Sequence, residues 1–355
     1  MSAKWKKVLV ATDFSDPAGR ALESARALAM EAGGTIVLLH VVPSPVATYP
    51  EAMMDIAGLS EAWMREARRA IGPLATRARR GGRKVRTETR FGTAWRQILD
   101  VAQELGVDAI CMGRSGHSRI ERLALGSTAE RVVRYASVPV IVTGDQPLKR
   151  LRRVLVPVDL GEGSAAALRL ASRLAPRSAQ LDVLLVIPGA IAGRQPVPYY
   201  PSAPLLPGRQ QSEEALREFL ELHDTDPETG AVIEAEDTAA GILERARKTR
   251  ADLVVIATQG RRGLDRWLLG SVAEKVLRHA EAPVLALPWS ASAAESKLLD
   301  ERPRPTTRRP RARAEKTRPA GRRQRGPWTG HAHTGRGGPA GRRGGTRPRK
   351  PKAGS

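Results

Sequence analysis

The chain has 355 residues, long enough for two domains with cores of their own. It carries 59 Lys and Arg against 37 Asp and Glu, a net charge of +22, but residues 291–355 alone hold 19 basic and 4 acidic side chains while the first 290 residues keep 40 and 33. A single cysteine, Cys111, rules out an intrachain disulfide, and no run reaches the roughly 18 apolar residues of a membrane-spanning helix.

The opening MSAKWKK is followed by about six apolar residues before Asp13, too few for the apolar core of a signal segment. A soluble, cytoplasmic protein without a membrane partner is expected. KVLVA, ending at Ala11, reads as a buried parallel strand that runs out at Thr12 and Asp13. Asp16 and Pro17 supply an N-cap and a first helical residue, Ala18, Leu22, Ala25, Leu28 and Ala29 recur at helical spacing, and Gly33-Gly34 ends the helix. TIVLLHVV, from Thr35 to Val42, is a second strand. A helix is predicted over residues 60–80 with a break at Gly72-Pro73. KVRTETRF, from Lys84 to Phe91, alternates as a half-exposed edge strand does, and Thr93 can cap the helix carrying Trp95, Ile98, Leu99, Val101 and Ala102. Residues 108–112 form a fourth strand, a helix opens at Ser127, and residues 138–142 form a fifth strand. Strands alternating with helices define a parallel α/β sheet.

Between the fourth strand and the helix at Ser127 the glycines fall as Gly113-x2-Gly116-x9-Gly126, followed by Ser127 and Thr128. Glycines let a chain turn off a strand and let backbone N–H groups approach a ligand, and a helix N-terminus offers N–H groups and a positive dipole end to an anion. The pattern fits a phosphate site. It equally fits glycines that only make turns before a helix capped by Ser127 or Thr128.

The same order then recurs. RVLVPVD, ending at Asp159, repeats KVLVATD at an offset of 146, and LDVLLVI, ending at Ile187, repeats the second strand. DLVVI, ending at Ile256, repeats the fourth strand, Gly270-Ser271 repeats Gly126-Ser127 at an offset of 144, and residues 282–287 repeat the fifth strand. Two copies, residues 1–146 and 151–290, precede a tail over residues 291–355, and a long loop spans residues 188–211 of the second copy.

With VLVATDFSDPA, LLHVV, MGRSGHSRIERLALGSTAERV and SVPVIV in view, the chain resembles a tandem universal stress protein (the UspA family), in the branch that binds ATP. The resemblance implies two tandem doubly wound α/β domains, each a five-stranded parallel sheet of order 3-2-1-4-5 with helices on both faces, packed as a pseudo-dimer through their fifth strands; a homodimer is compatible with it. It places the ligand beyond the carboxyl ends of strands one and four. Gly113, Gly116, Gly126, Ser127 and Thr128 would then hold the triphosphate, with Arg114 and His117 adding charge or hydrogen bonds. Ala11, Thr12 and Asp13 would meet the adenosine, Asp13 at the ribose, and Val41 would touch adenine. In the second copy the matching positions are Pro157, Val158, Asp159, Ile187, Ala257, Gly260, Arg261, Gly270, Ser271 and Val272. Ala257 stands where the first copy has Gly113; a methyl group where the backbone approaches phosphate would either cost affinity or be absorbed by a small loop shift.

No hydrolytic machinery is legible: the chain lacks a Gly-x4-Gly-Lys-Ser/Thr loop and a supported Ser/His/Asp set. The expectation is a binding protein, with at most slow ATP hydrolysis and with Mg2+ arriving on the nucleotide. His40 is expected to pack or hydrogen-bond near the sheet end, and Cys111 to act as a small buried hydrophobe. The tail, with RPRPTTRRPRARAEK, GRRQRG and GRRGG, offers little to bury and is expected to be disordered; its arginines and Trp328 suit a nucleic acid or another acidic partner.

Overall fold

The computed structural model describes residues 5–28, 34–43, 56–80, 82–116, 125–189, 208–259 and 269–288. Gly33, His117, Gly260, Arg261, most of the 188–211 connection and the 291–355 tail lie outside the described residues. In the first copy, strands β1 (Lys7–Ala11), β2 (Thr35–Val42), β3 (Lys84–Phe91), β4 (Ala109–Gly113) and β5 (Val140–Thr143) alternate with helices α1 (Asp16–Leu28), α2 (Ile56–Arg79), α3 (Ala94–Leu105) and α4 (Ser127–Tyr135). The second copy repeats this as β6 (Arg153–Val158), α5 (Glu162–Leu174), β7 (Gln180–Pro188), α6 (Arg209–Leu222), β8 (Gly230–Ala235), α7 (Thr238–Lys248), β9 (Leu253–Ala257), α8 (Ser271–His279) and β10 (Val284–Leu287).

All ten strands form one sheet in the order β3-β2-β1-β4-β5-β10-β9-β6-β7-β8. Each half keeps the expected 3-2-1-4-5 order with parallel neighbours. The halves meet where β5 and β10 run antiparallel, with Ile141 opposite Leu285. Every residue of both strands is buried. Two apolar layers cover the sheet, and each contains residues of both copies. Val10, Ile141, Val156 and Leu285 lie in one layer; Leu9, Val142, Leu155 and Ala286 lie in the other. The near-continuous Val, Leu and Ile runs of the inner strands follow from burial on both faces.

Several local expectations change. The fourth strand starts one residue later than expected because Asp108 has other work: its Oδ2 accepts from the backbone N of Lys6 and Lys7 at 2.6 and 2.7 Å, clamping the entry of β1. Asp252 does the same for Arg152 and Arg153 at 2.8 and 2.9 Å. The fifth strand starts at Val140, since Pro139 has no N–H to give to a ladder. The helix expected over 60–80 begins at Ile56 and runs unbroken through Pro73; Ile71, Ala75 and Ala78 anchor its buried side. A missing N–H removes one bond there, and burial on the sheet outweighs it. Ser15, not Asp16, caps α1, its hydroxyl lying 3.4 Å from the backbone N of Ala18. Thr93 holds the N-cap position of α3 but its side chain makes no capping bond.

The seam leaves no room at Gly144, which follows β5. A Cβ there would sit 2.3 Å from the carbonyl oxygen of Glu281, and that oxygen also accepts from the backbone N of Asp145 at 3.0 Å. Gly144→Ala is therefore expected to destabilise the fold by about 1–3 kcal/mol in urea unfolding of the full chain. An unchanged midpoint would show that the seam can open at no cost.

Candidate functional site

At the carboxyl ends of β1 and β4, the strand-end residues and the glycine loop close around a cavity of about 230 Å3. Ala11, Thr12, Asp13, Val41, Gly113, Arg114, Gly116, Gly126, Ser127 and Thr128 all line it. Leu39, Ala18, Ile98 and Met112 complete its apolar wall and were not among the expected residues. Strand alternation already pointed to Leu39, two residues before Val41 on the same face of β2.

The turn after β1 is built by its own polar groups. Oδ1 of Asp13 accepts from the backbone N of Ser15 at 3.0 Å and from the Ser15 hydroxyl. This holds Phe14 in the left-handed region at φ 68°. In the second copy, Oδ1 of Asp159 accepts from the N of Gly161 at 3.0 Å and from the Ser164 hydroxyl, and Leu160 sits at φ 64°. A non-glycine residue in that region is strained, and in both copies the aspartate carboxylate over-determines the turn. The side of Asp13 toward the glycine loop is Oδ2, which a Cβ on Gly116 would approach to 2.5 Å. Gly116 thus lets the loop lie directly against the carboxylate.

Gly126 takes the N-cap position of α4 with no side-chain capping bond, and its N donates to the carbonyl of Arg114 at 2.8 Å. The first intrahelical bond is Glu130 N to Gly126 O at 2.9 Å, so the N–H groups of the first turn have no acceptor within the helix. Ser127 is exposed and Thr128 half-buried at the cavity wall. Neither hydroxyl serves as the cap.

Three expectations about side chains are corrected. Arg114 lines the cavity, but the residue is buried and its guanidinium is engaged elsewhere. Nη1 donates to the carbonyl of Ala280 at 2.9 Å, and Nη2 to Asp145 at 2.8 Å. Ala280 closes the C-terminus of α8, where the helix dipole favours a cation. Arg114 therefore ties the first-copy loop to the second copy. Next, Ile187 does not line the second cavity; Val186 does. The pairings Ala11 with Leu39 and Pro157 with Leu184 make Val186 the equivalent of Val41, and a one-residue slip sends a strand side chain to the opposite face.

The third correction concerns Gly113 and Ala257. A Cβ on Gly113 would lie 2.7 Å from Cβ of Pro17, so the packing of α1 is enough to require a glycine there. Ala257 carries that methyl, and the α5 residue matching Pro17 is Gly163, whose own Cβ would lie 3.2 Å from that of Ala257. The two copies make room in opposite ways. Pro157, Val158, Asp159, Ala257, Gly270, Ser271 and Val272 line a second cavity of about 470 Å3, and Gly270 N donates to Thr258 O at 2.8 Å as Gly126 N does to Arg114 O.

His40 and Cys111 behave as expected. Nδ1 of His40 lies 2.8 Å from the Thr12 carbonyl oxygen and its ring packs on Phe14 at 4.3 Å. Cys111 is fully buried, and desolvation pushes its thiol pKa up.

The sequence matches the universal stress protein family over residues 4–144 and again over 150–288. The chain therefore belongs to the universal stress protein family, with two family domains in tandem. A universal stress protein of Mycolicibacterium smegmatis is 28% identical over 294 residues, covering 79% of this chain and 96% of the relative. Universal stress protein MJ0531 of Methanocaldococcus jannaschii is 33% identical over 140 residues, 39% of this chain and 81% of that protein. A solved universal stress protein from Archaeoglobus fulgidus shares the fold with a TM-score of 0.59 at 20% identity, covering 79% of this chain and 95% of that one.

The exchange around Gly113 gives a double-mutant test. Gly113→Ala alone is expected to destabilise by about 1–3 kcal/mol through overlap with Pro17. In the Pro17→Gly background the same change is expected to cost at least about 1 kcal/mol less, measured by urea unfolding across the four-member cycle. Additive costs would mean that the two positions do not compensate each other.

Proposed function

We propose that the protein is a nucleotide-responsive stress regulator that binds ATP in the cavity at the ends of β1 and β4. The observation that carries this reading is the convergence of the described first-copy residues, from Ala11 to Thr128, on one cavity. Its chemistry suits a nucleoside triphosphate. The first-turn N–H groups of α4 with the hydroxyls of Ser127 and Thr128 cradle the phosphates. Asp13 hydrogen-bonds the ribose, and Val41 and Leu39 give adenine an apolar wall. Mg2+ would enter with the triphosphate. The output is binding, not turnover. In the second cavity Val158 and Val272 replace Thr12 and Thr128, removing two hydroxyls, so the first cavity binds more tightly. Ala257 is no obstacle there, because its methyl faces Gly163.

ATP at about 100 times its dissociation constant should stabilise the full chain by roughly 2.7 kcal/mol, read by thermal unfolding. The double variant Gly126→Asp/Gly270→Asp should lose that stabilisation. Aspartate suits an N-cap position, and circular dichroism checks that the fold absorbs the new Cβ atoms, which would lie 3.2 Å from the Arg114 carbonyl oxygen and 3.1 Å from that of Thr258, while a carboxylate occupies each phosphate cradle. No shift with the parent chain, or an undiminished shift in the variant, overturns the ATP reading.

A separate reading concerns residues 291–355, whose 19 basic side chains against 4 acidic ones support contacts to nucleic-acid phosphates. Deleting them should then lower RNA or DNA affinity at least about tenfold at low salt, with the difference narrowing as salt rises. Equal affinity with and without the segment removes this reading.

A further inference from the structure

Away from both nucleotide cavities, an open groove of about 710 Å3 follows the linker that joins the two copies. Five cations line it: Arg26 from α1, Arg83 just ahead of β3, and Lys149, Arg150 and Arg152 from the linker. The one carboxylate among the described lining residues, Glu23, is paired with Arg77. Arg26, Lys149, Arg150 and Arg152 form no ion pair among the described residues. No residue of the groove lines either nucleotide cavity.

Two of the cations share one acceptor. Nη2 of Arg26 and Nη1 of Arg83 each donate to the same carbonyl oxygen, that of Arg80, at 3.3 Å. Nε of Arg26 is buried without an acceptor. Burial lowers the Arg83 pKa, and the neighbouring Arg26 charge lowers it further. The linker is pinned at both ends, Leu148 N donating to Ser24 Oγ at 2.9 Å and Arg152 N to Asp252 Oδ2 at 2.8 Å. A linker backbone pinned at both ends beside two guanidinium groups that share one acceptor concentrates like charges around a concave surface, which favours an anion.

The shape and chemistry narrow the anion further. The volume lies in the range of small-ligand sites, roughly 300–1,000 Å3, and among the described lining residues there is no aromatic ring for a base to stack on. Paired guanidinium groups suit phosphate oxygens in particular. We propose that this inter-copy groove binds a linear oligophosphate of at least three phosphate groups, independently of the nucleotide cavities. The linker supplies three of the five cations, so the site exists only because the two copies are joined.

The test is thermal unfolding of the full chain with inorganic tripolyphosphate. Binding to residues 291–355 is controlled for by the triple variant below, which leaves all of them unchanged. Tripolyphosphate is expected to raise the unfolding midpoint by about 2–4 °C, and by nearly as much in Gly126→Asp/Gly270→Asp. The triple variant Lys149→Gln/Arg150→Gln/Arg152→Gln should lower the affinity read from the titration at least about tenfold. All three side chains are exposed, so the fold is retained, as circular dichroism will report. No shift in the parent, an equal shift in the triple variant, or a shift lost in the Gly126/Gly270 variant overturns the proposal. A larger shift with single-stranded DNA at equal phosphate concentration overturns it in favour of a nucleic-acid site.

Discussion

The antiparallel pairing of β5 with β10 is the constraint on which the rest of the molecule depends. A five-stranded parallel half ends on a four-residue strand with apolar side chains on both faces and unpaired backbone groups along one edge. Joining two such edges satisfies those groups and lets each apolar layer continue across the seam, with Ile141 against one layer and Val142 against the other. The close approach at Gly144 and the bond from Asp145 to the Glu281 carbonyl are details of this one contact. The linker, the Arg114 bridge and the basic groove all owe their positions to it.

Duplicated sequences are usually compared position by position, and the pair Gly113 and Ala257 shows what that misses. Compared alone, the alanine looks like damage to a phosphate loop. Compared with their packing partners, Gly113 with Pro17 and Ala257 with Gly163 are two solutions to one steric problem between the fourth strand and the helix after the first. In each contact one partner carries a Cβ and the other is a glycine, with the roles exchanged. A glycine in a ligand loop can be fixed by the protein behind it, not by the ligand in front.

Much of this was legible in the sequence, and the reasons are specific. Short apolar runs ending at Asp13 and Asp159, the glycine spacing and the repeat offset located most strands and the tandem duplication, because buried parallel strands and loop glycines leave strong local signals; the sheet order and the residues around the first cavity came from the family resemblance, and β8 was not read at all. Features set by contacts distant in sequence left none. Asp108 reads as the first residue of a strand and is a clamp on β1, and Pro73 reads as a break in a helix that the sheet holds together. Arg114 sits inside a ligand motif, yet its partners lie 31 and 166 residues away. The slip between Ile187 and Val186 came from aligning runs of similar apolar residues, where only the register of β6 with β7 decides which face a side chain takes.

The Arg114 bridge gives the duplication a polarity. The residue matching Arg114 in the second copy is Thr258, whose hydroxyl lies 3.3 Å from the carbonyl of Leu287 in its own half. Ala280, which receives the guanidinium, has its counterpart in Ala136, the residue that closes α4 in the same extended conformation. A symmetric pair of first copies would thus contain the bridge twice, and a symmetric pair of second copies would contain none. The two halves have ceased to be interchangeable building blocks: one has kept the means of gripping a neighbour, and the other has become the neighbour that is gripped.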